Sequence, residues 1–379
     1  MNETAAERTD IRRYDVGGYD AAIYTAPIWE SDVVVNETVF PIEKADGGRT
    51  FCLAYPATRI ISVKSYTLET RYAEGTDYIL TESGELFIPE GSAIPVRSHL
   101  YLHPDANPEN KPWEVFYPHL RDPERYEFWD ESSLLSLQLL SVTYEHEKDG
   151  SIARPAALGA LLPRAMEKLT SGGELKLLIA GDSLTGGAHA SKNLRIAPYA
   201  PAFPYLTADA LSLKYPEAKI DLTVAGIGGG TSERLMRDSL VEEQITSHSP
   251  ELVCICYGMN DSNDERKGFT DERFRTAIVA LIDEIRKTLP ECEILLVSSI
   301  YGNPYTFDRT RYEAHARVLE WIAAERAGQG VAFCDPQAVE RQLLRRKEFA
   351  DMMADNMVHP NDFGMRIIAQ TISDSLRMG

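Results

Sequence analysis

From about residue 172 onward, short uninterrupted apolar runs alternate with segments in which apolar residues recur every three or four positions. The runs are Leu175 to Ala180, Ile220 to Val224, Leu252 to Tyr257, Ile294 to Ser299 and Val331 to Cys334. They lack polar alternation, as expected of parallel strands covered on both faces. Between the third and fourth, Phe274, Ala277, Ile278, Leu281, Ile282 and Ile285 mark one face of a helix that Pro290 ends. Another helix is predicted over Pro155 to Leu169. This pattern predicts a doubly wound α/β domain with a parallel five-stranded sheet, whose sites lie at the carboxyl ends of the strands.

Residues 30 to about 146 read differently. Short alternating or β-branched runs occur at Asp32 to Val35, Arg59 to Ser65, Tyr78 to Leu80, Glu85 to Ile88 and Leu137 to Tyr144. Asp46-Gly47-Gly48, Glu74-Gly75 and Pro89-Glu90-Gly91 punctuate them as turns. An antiparallel β-sandwich, jelly-roll-like, is expected here. A single core stops growing at roughly 250 to 300 residues, and the chain has 379. Two domains are therefore expected, 1–150 and 151–379, with the change of pattern at Asp149-Gly150.

Charge narrows the range of partners. With 58 acidic and 39 basic residues the net charge is −19, which repels nucleic acid and anionic membrane surfaces. The sequence has neither a signal-peptide core nor an apolar stretch of about 18 residues, so a soluble, cytoplasmic protein is expected. Five cysteines without a C-x-x-C pair suggest reduced thiols. Cys254 and Cys256 lie inside an apolar run and read as core residues of a strand.

Candidate chemistry sits at the strand ends. The first run leads into Gly181-Asp182-Ser183-Leu184-Thr185-Gly186-Gly187, placing a serine in a tight turn before an expected helix, whose N-terminal amides favour developing negative charge. A glycine-rich turn with a capping Ser or Asp accounts for this segment about as well. The second run ends in Ala225-Gly226-Ile227-Gly228-Gly229-Gly230-Thr231, which is neither a dinucleotide fingerprint nor a P-loop. The third ends in Tyr257-Gly258-Met259-Asn260-Asp261, with a side-chain amide suited to an oxyanion. Near the C-terminus, His359 in Asp355-Asn356-Met357-Val358-His359-Pro360 precedes a helix patterned by Met365, Ile368, Ile372 and Leu376. That position favours the neutral imidazole a general base requires. His103, in a Pro/Asn loop, and His189, six residues past Ser183, are weaker candidates.

The order Ser, Gly, Asn, His over residues 172 to 379 resembles the SGNH (GDSL-like) hydrolase superfamily. The resemblance implies Ser183 as nucleophile and His359 as general base. It also implies an oxyanion hole from the Ser183 and Gly226 backbone N–H groups and the Asn260 side chain, with Asp182 and Asp261 as structural support. No cofactor and no metal are expected, since no H-E-x-x-H or Cys/His cluster occurs. One departure stands out. The family's Asp three residues before the histidine falls on Asn356, leaving Asp355, Asn356 or a main-chain carbonyl to orient His359. The Asn of the family's second block is also replaced, by Val224.

A β-sandwich ahead of such a domain resembles the arrangement in carbohydrate esterases that remove acetyl groups. The expected activity is that of a serine esterase on short-chain, acetyl-type esters of a small molecule or oligosaccharide. Tyr101, Trp113, Phe116, Tyr117 and Trp129 are available to stack on sugar, although core or interdomain packing explains each more simply. A lysophospholipase or thioesterase acting on longer acyl chains is the alternative enzyme. A carbohydrate-binding protein with a decayed hydrolase domain is the alternative outside catalysis.

Overall fold

The computed structural model describes residues 11–104, 115–122, 124–263 and 270–379, so Trp113 lies outside the described residues. The first half is antiparallel. Strands β1 (Val33–Val39), β2 (Thr50–Phe51), β3 (Ala57–Ser65), β4 (Arg71–Tyr72), β5 (Ile79–Leu80), β6 (Leu86–Phe87), β7 (Val115–Pro118), β8 (Tyr126–Trp129) and β9 (Leu140–His146) form three sheets. Their orders are β1-β9-β3-β4, β2-β6-β5 and the β7-β8 hairpin. The run expected from Leu137 begins as a 3-10 turn at Ser136–Gln138 and becomes strand only at Leu140.

The second half carries the parallel sheet: β10 (Glu174–Gly181), β11 (Lys219–Gly226), β12 (Leu252–Cys256), β13 (Glu293–Val297) and β14 (Val331–Cys334), in the order β11-β10-β12-β13-β14. The order reverses at β10, which lies between β11 and β12, so the switch point opens beside the segments that follow β10 and β12. Those segments carry Ser183 and Asn260. Strands β12 and β13 are buried almost throughout. Strand β11 is an edge strand and only partly covered, contrary to the expectation that all five are enclosed. The helix expected over Pro155 to Leu169 is a 3-10 turn at Gly159–Leu161 followed by a helix at Pro163–Ser171. Pro163 is the reason. It has no N–H to donate and is tolerated only in the first helical turn, so the helix starts there.

One apolar cluster runs across residue 150, joining Val34, Val39, Leu53, Val142 and Tyr144 to Leu175, Leu177, Ile179, Phe363 and Ile372. Each such fully buried side chain contributes about 1.5–3 kcal/mol. The last helix, Asp362–Ser375, is buried along its whole length. Its Arg366 donates to the carbonyls of Tyr24 and Val35. Just before it, the Phe40 N–H donates to Asp351 Oδ1 at 2.8 Å and Thr38 Oγ1 to Asp351 O at 2.6 Å. Buried Lys347 pairs with buried Glu37 at 2.5 Å. Strand β1 thus holds the chain leading to His359. The five cysteines are free, and burial pushes the Cys254 and Cys256 thiols up. Among the described residues, no helix is long and apolar enough to cross a membrane.

Candidate active site

Strand β10 stops at Gly181, where a Cβ would run into Thr185 Oγ1 and Cys256 O. Only glycine lets the chain turn this closely. Asp182 then folds the turn on itself: its Oδ1 accepts the Leu184 N–H at 3.0 Å and its carbonyl accepts Gly186 N–H at 3.0 Å. The helix expected after Ser183 is absent. A run of turns follows instead, with Gly187 at φ +79°, and the next helix is the short Ser191–Leu194. Ser183 is therefore presented by a turn, and its own N–H has no acceptor among the described residues.

His359 Nε2 lies 2.9 Å from Ser183 Oγ, and His359 Nδ1 lies 2.6 Å from Asp355 Oδ2. The loop between Asp355 and His359 is closed by the Ala354 N–H donating to His359 O and the Asn361 N–H donating to Met352 O. Asn356 sits at φ +59°, a left-handed conformation that Asn tolerates better than most residues. This absorbs the extra residue in the spacing and brings Asp355 to the imidazole. Asn356 does not reach the ring. Its side-chain amide donates to Glu127 Oε2 at 3.2 Å and to Phe128 O at 3.0 Å.

Asp355 is completely buried, and its carboxylate is saturated. Oδ1 accepts the N–H groups of Met357, Val358 and His359 at 2.8 to 3.0 Å, and Oδ2 accepts Trp129 Nε1 at 3.1 Å. Burial alone would raise its pKa, but the hydrogen bond and charge of His359, with these donors, hold it below the usual carboxylate value. For His359, burial favours the neutral ring, but the hydrogen bond and charge of Asp355 outweigh it and raise the pKa above 6.5. The expectation that the following helix keeps the ring neutral is not met, because the Asp355 interaction raises the pKa; that helix is capped by the Asn361 side chain, which accepts the Phe363 and Gly364 N–H groups.

His189 stacks on His359 with ring centroids 4.8 Å apart and donates from Nε2 to Glu131 O at 2.8 Å. Its Nδ1 is buried with no hydrogen-bond partner among the described residues. Asn260 opens the short helix Met259–Asn263 and donates one amide hydrogen to Gly230 O at 2.9 Å, leaving a second available. Asp261 accepts the Ser232 N–H and Oγ–H, tying that helix to the loop after β11. Burial pushes the pKa of Asp182 up to about 7 and that of Asp261 up to about 6.

Gly226 is a close-packing position: a Cβ there would lie 2.5 Å from Gly186 Cα. In the β10–β11 ladder the Lys219 N–H donates to Gly173 O and the Ile227 N–H to Gly181 O. Donors alternate along a strand, so the Gly226 N–H faces the free edge of the sheet, away from β10. One turn further on, the N–H groups of Gly228 and Gly229 have no acceptor among the described residues, and Gly229 adopts φ +62° with open space where a Cβ would stand.

Two contributors escape sequence reasoning. Trp129, expected only as a stacking surface, donates to Asp355, and Glu127 anchors Asn356. Both come from β8, more than 220 positions away, and nothing local marks them. Among the other aromatics, Tyr117 packs edge-on against Trp129 and is exposed, whereas Tyr101 and Phe116 pack on Phe128.

Residues 179–367 match the GDSL-like Lipase/Acylhydrolase family. No curated protein sequence matches the chain. Among solved structures, the chain is similar to Axe2, an acetylxylan esterase from Geobacillus stearothermophilus, at 25% identity over 56% of this chain and 97% of that one, with a TM-score of 0.45. It is also similar to a two-domain esterase (CEX) active on acetylated mannans, at 22% identity over 58% of this chain and 53% of that one, with a TM-score of 0.44. Over residues 179–367 the chain is a GDSL-like lipase/acylhydrolase domain, and the protein is a carboxylic ester hydrolase of that family.

Proposed function

We propose that the protein is a serine esterase that removes short, acetyl-sized acyl groups from carbohydrate through an acyl-enzyme on Ser183. The observation that carries this reading is the unbroken hydrogen-bonded line from Asp355 through His359 to Ser183 Oγ. A decayed domain has no use for such a line.

In the first step His359 Nε2 takes the Ser183 proton as Oγ attacks the ester carbonyl. The negative charge on the carbonyl oxygen is met by the Ser183 N–H, by the second amide hydrogen of Asn260 and by a backbone N–H of the turn after β11. Gly228 and Gly229 are better placed for that third role than Gly226. Collapse of the tetrahedral adduct breaks the bond to the alcohol oxygen, which receives the proton from His359. Water, deprotonated by the same imidazole, then attacks the acyl-enzyme and frees the carboxylic acid and Ser183.

Support for a sugar as the alcohol comes from Trp129 and the exposed Tyr117, an aromatic pair that joins the triad through the indole N–H.

The test is hydrolysis of p-nitrophenyl esters of increasing chain length by wild type and Ser183→Ala, followed by acetylated oligosaccharides. Rates that are highest for acetate, fall to the buffer rate in the variant, and are accompanied by acetate release from the sugar would support the reading. A maximum at long chains would favour a lysophospholipase or thioesterase. Equal substantial rates in both proteins would remove Ser183 from the mechanism.

A further inference from the structure

Three ligand-type side chains converge behind the triad loop, in chemistry the hydrolysis does not use. His103 Nδ1 lies 2.6 Å from Glu127 Oε1, and His119 Nε2 lies 2.8 Å from the same oxygen. The three ligand-type atoms all lie within 4.8 Å of one another. We propose that His103, His119 and Glu127 bind a divalent transition-metal ion of the zinc class, at the seam between the antiparallel half and the α/β domain.

The donor set argues for this first. Two imidazoles and one carboxylate, with a further position open, form a common hydrolase-type zinc set. Zinc distances of about 2.0–2.2 Å separate neighbouring ligands by roughly 3.3 Å in a tetrahedron, so the two nitrogen–oxygen contacts lengthen by about 0.5–0.7 Å to admit an ion, with the two nitrogens settling at the same separation. One ring nitrogen of each histidine meets the same oxygen of a carboxylate that has no exposure to solvent. With a cation, the same three atoms share a single positive centre.

The frame is rigid and its outer contacts are made. The Phe128 N–H donates to Leu102 O and the Tyr126 N–H to Pro104 O, fixing His103 across from Glu127 on β8. The His119 N–H donates to Arg125 O, extending the β7-β8 hairpin and bringing the third ligand to the same face. Glu127 Oε2 accepts the side-chain amides of Asn303 and Asn356, the kind of outer-shell support that orients metal ligands. Tyr305 stacks on His119 at 5.0 Å and meets His103 edge-on at 5.3 Å. A cavity of about 410 Å³ lined by His99, His103, Glu127, Asn303 and Tyr305 gives an entry path. Through Asn356, next to Asp355, the ion would brace the loop that carries the triad without touching the reacting atoms.

The fold also brings His189, Asp355 and His359 within ligand distance of one another, but Asp355 and His359 are committed to each other there, and an ion would remove the base. The experiment separates the two clusters. Full-length protein stripped with a chelator is titrated with Zn²⁺ by calorimetry and with Co²⁺ by visible absorption, alongside His103→Ala, His119→Ala and His189→Ala. One equivalent of zinc, a tetrahedral-type Co²⁺ spectrum and a zinc-dependent rise in melting temperature are expected for wild type and for His189→Ala. His103→Ala and His119→Ala should each weaken zinc binding by more than about 100-fold, since even an outer-shell loss costs 10- to 100-fold. Lack of saturable zinc binding by wild type overturns the proposal, whatever the variants do. So does binding that survives in His103→Ala and disappears in His189→Ala.

Discussion

The indole N–H of Trp129 donates to Asp355 Oδ2 at 3.1 Å, joining β8 of the antiparallel half to the acid that orients His359 across 226 positions of chain. Hydrogen bonds to a charged group are worth about 1.5–3 kcal/mol. Trp129→Phe keeps the ring and loses the donor, so it should reduce stability by that amount in urea unfolding. With Trp129 acting as a positioning residue, kcat should fall about 10-fold or more while KM for a small ester stays nearly constant. Unchanged kcat and stability would show that the bond contributes nothing.

Asp355 and Asn356 separate cleanly by what they touch. Asp355→Asn removes the charge facing Nδ1 and allows the wrong imidazole tautomer, a change that costs about 10⁴-fold in a serine protease triad. A loss of that order in kcat is expected. Asn356→Asp should not rescue it. Its carboxylate would face Glu127 Oε2 and Phe128 O, both acceptors, so unfolding at lower denaturant is the expected result. Recovery of activity in the double variant would show that the shorter spacing is usable after all.

These two residues also mark where the sequence becomes illegible. Ser183 and Asn260 follow recognisable runs, because a buried parallel strand must be apolar and its carboxyl end must turn, and His359 stands just ahead of a helix with a readable apolar face. The choice of Asp355 over Asn356 depends on one left-handed residue, and amino-acid type biases that angle without determining it. Trp129 and Glu127 meet Asp355 and Asn356 only when β8 packs against the C-terminal loop, whereas His103 and His119 meet Glu127 through pairing within the antiparallel half. Metal expectations drawn from local spacing therefore pass over a cluster assembled from three separate segments. Pro163 is a readable helix start inside the segment Pro155 to Leu169, which reads as one longer helix. The edge position of β11 depends on strand order, which an apolar run does not encode.

The titration of the His359–Asp355 pair has a defined sign. The reaction needs neutral His359, whose pKa in the folded protein lies above 6.5 because the Asp355 interaction outweighs burial. Activity should therefore rise with pH through a midpoint above 6.5. In Asp355→Ala burial is opposed only by the charges of Asp182 and Glu131, so the midpoint of the residual activity should drop. For stability, the raised His359 pKa contributes fully below 6.5 and is lost as pH rises through the folded value. The depressed Asp355 pKa contributes above 3.8 and is lost as pH falls through its folded value. The pair stabilises most between those limits, so the difference in urea stability between wild type and His359→Ala should be larger near about pH 5 than near about pH 8.5. A difference that grows with pH would contradict the charged pairing.

The oxyanion donors can be told apart because alanine acts differently at each position. At Asn260 it deletes a side-chain donor, and losing one such donor costs about 10²- to 10³-fold in kcat. That loss is expected with KM and folding little changed. At Gly226 alanine keeps the backbone N–H but drives a methyl group against Gly186. Overpacking of this kind costs about 1–3 kcal/mol or more, so Gly226→Ala should unfold early. At Gly229 a Cβ meets open space and the cost is the left-handed φ, about 1–2 kcal/mol. Replacing the Gly229 amide N–H by an ester oxygen through semisynthesis removes the donor and leaves φ +62° accessible, so a kcat far below that of wild type at matched folded fraction would assign the donor to that residue. A rate equal to wild type would leave Gly228 as the donor from this turn.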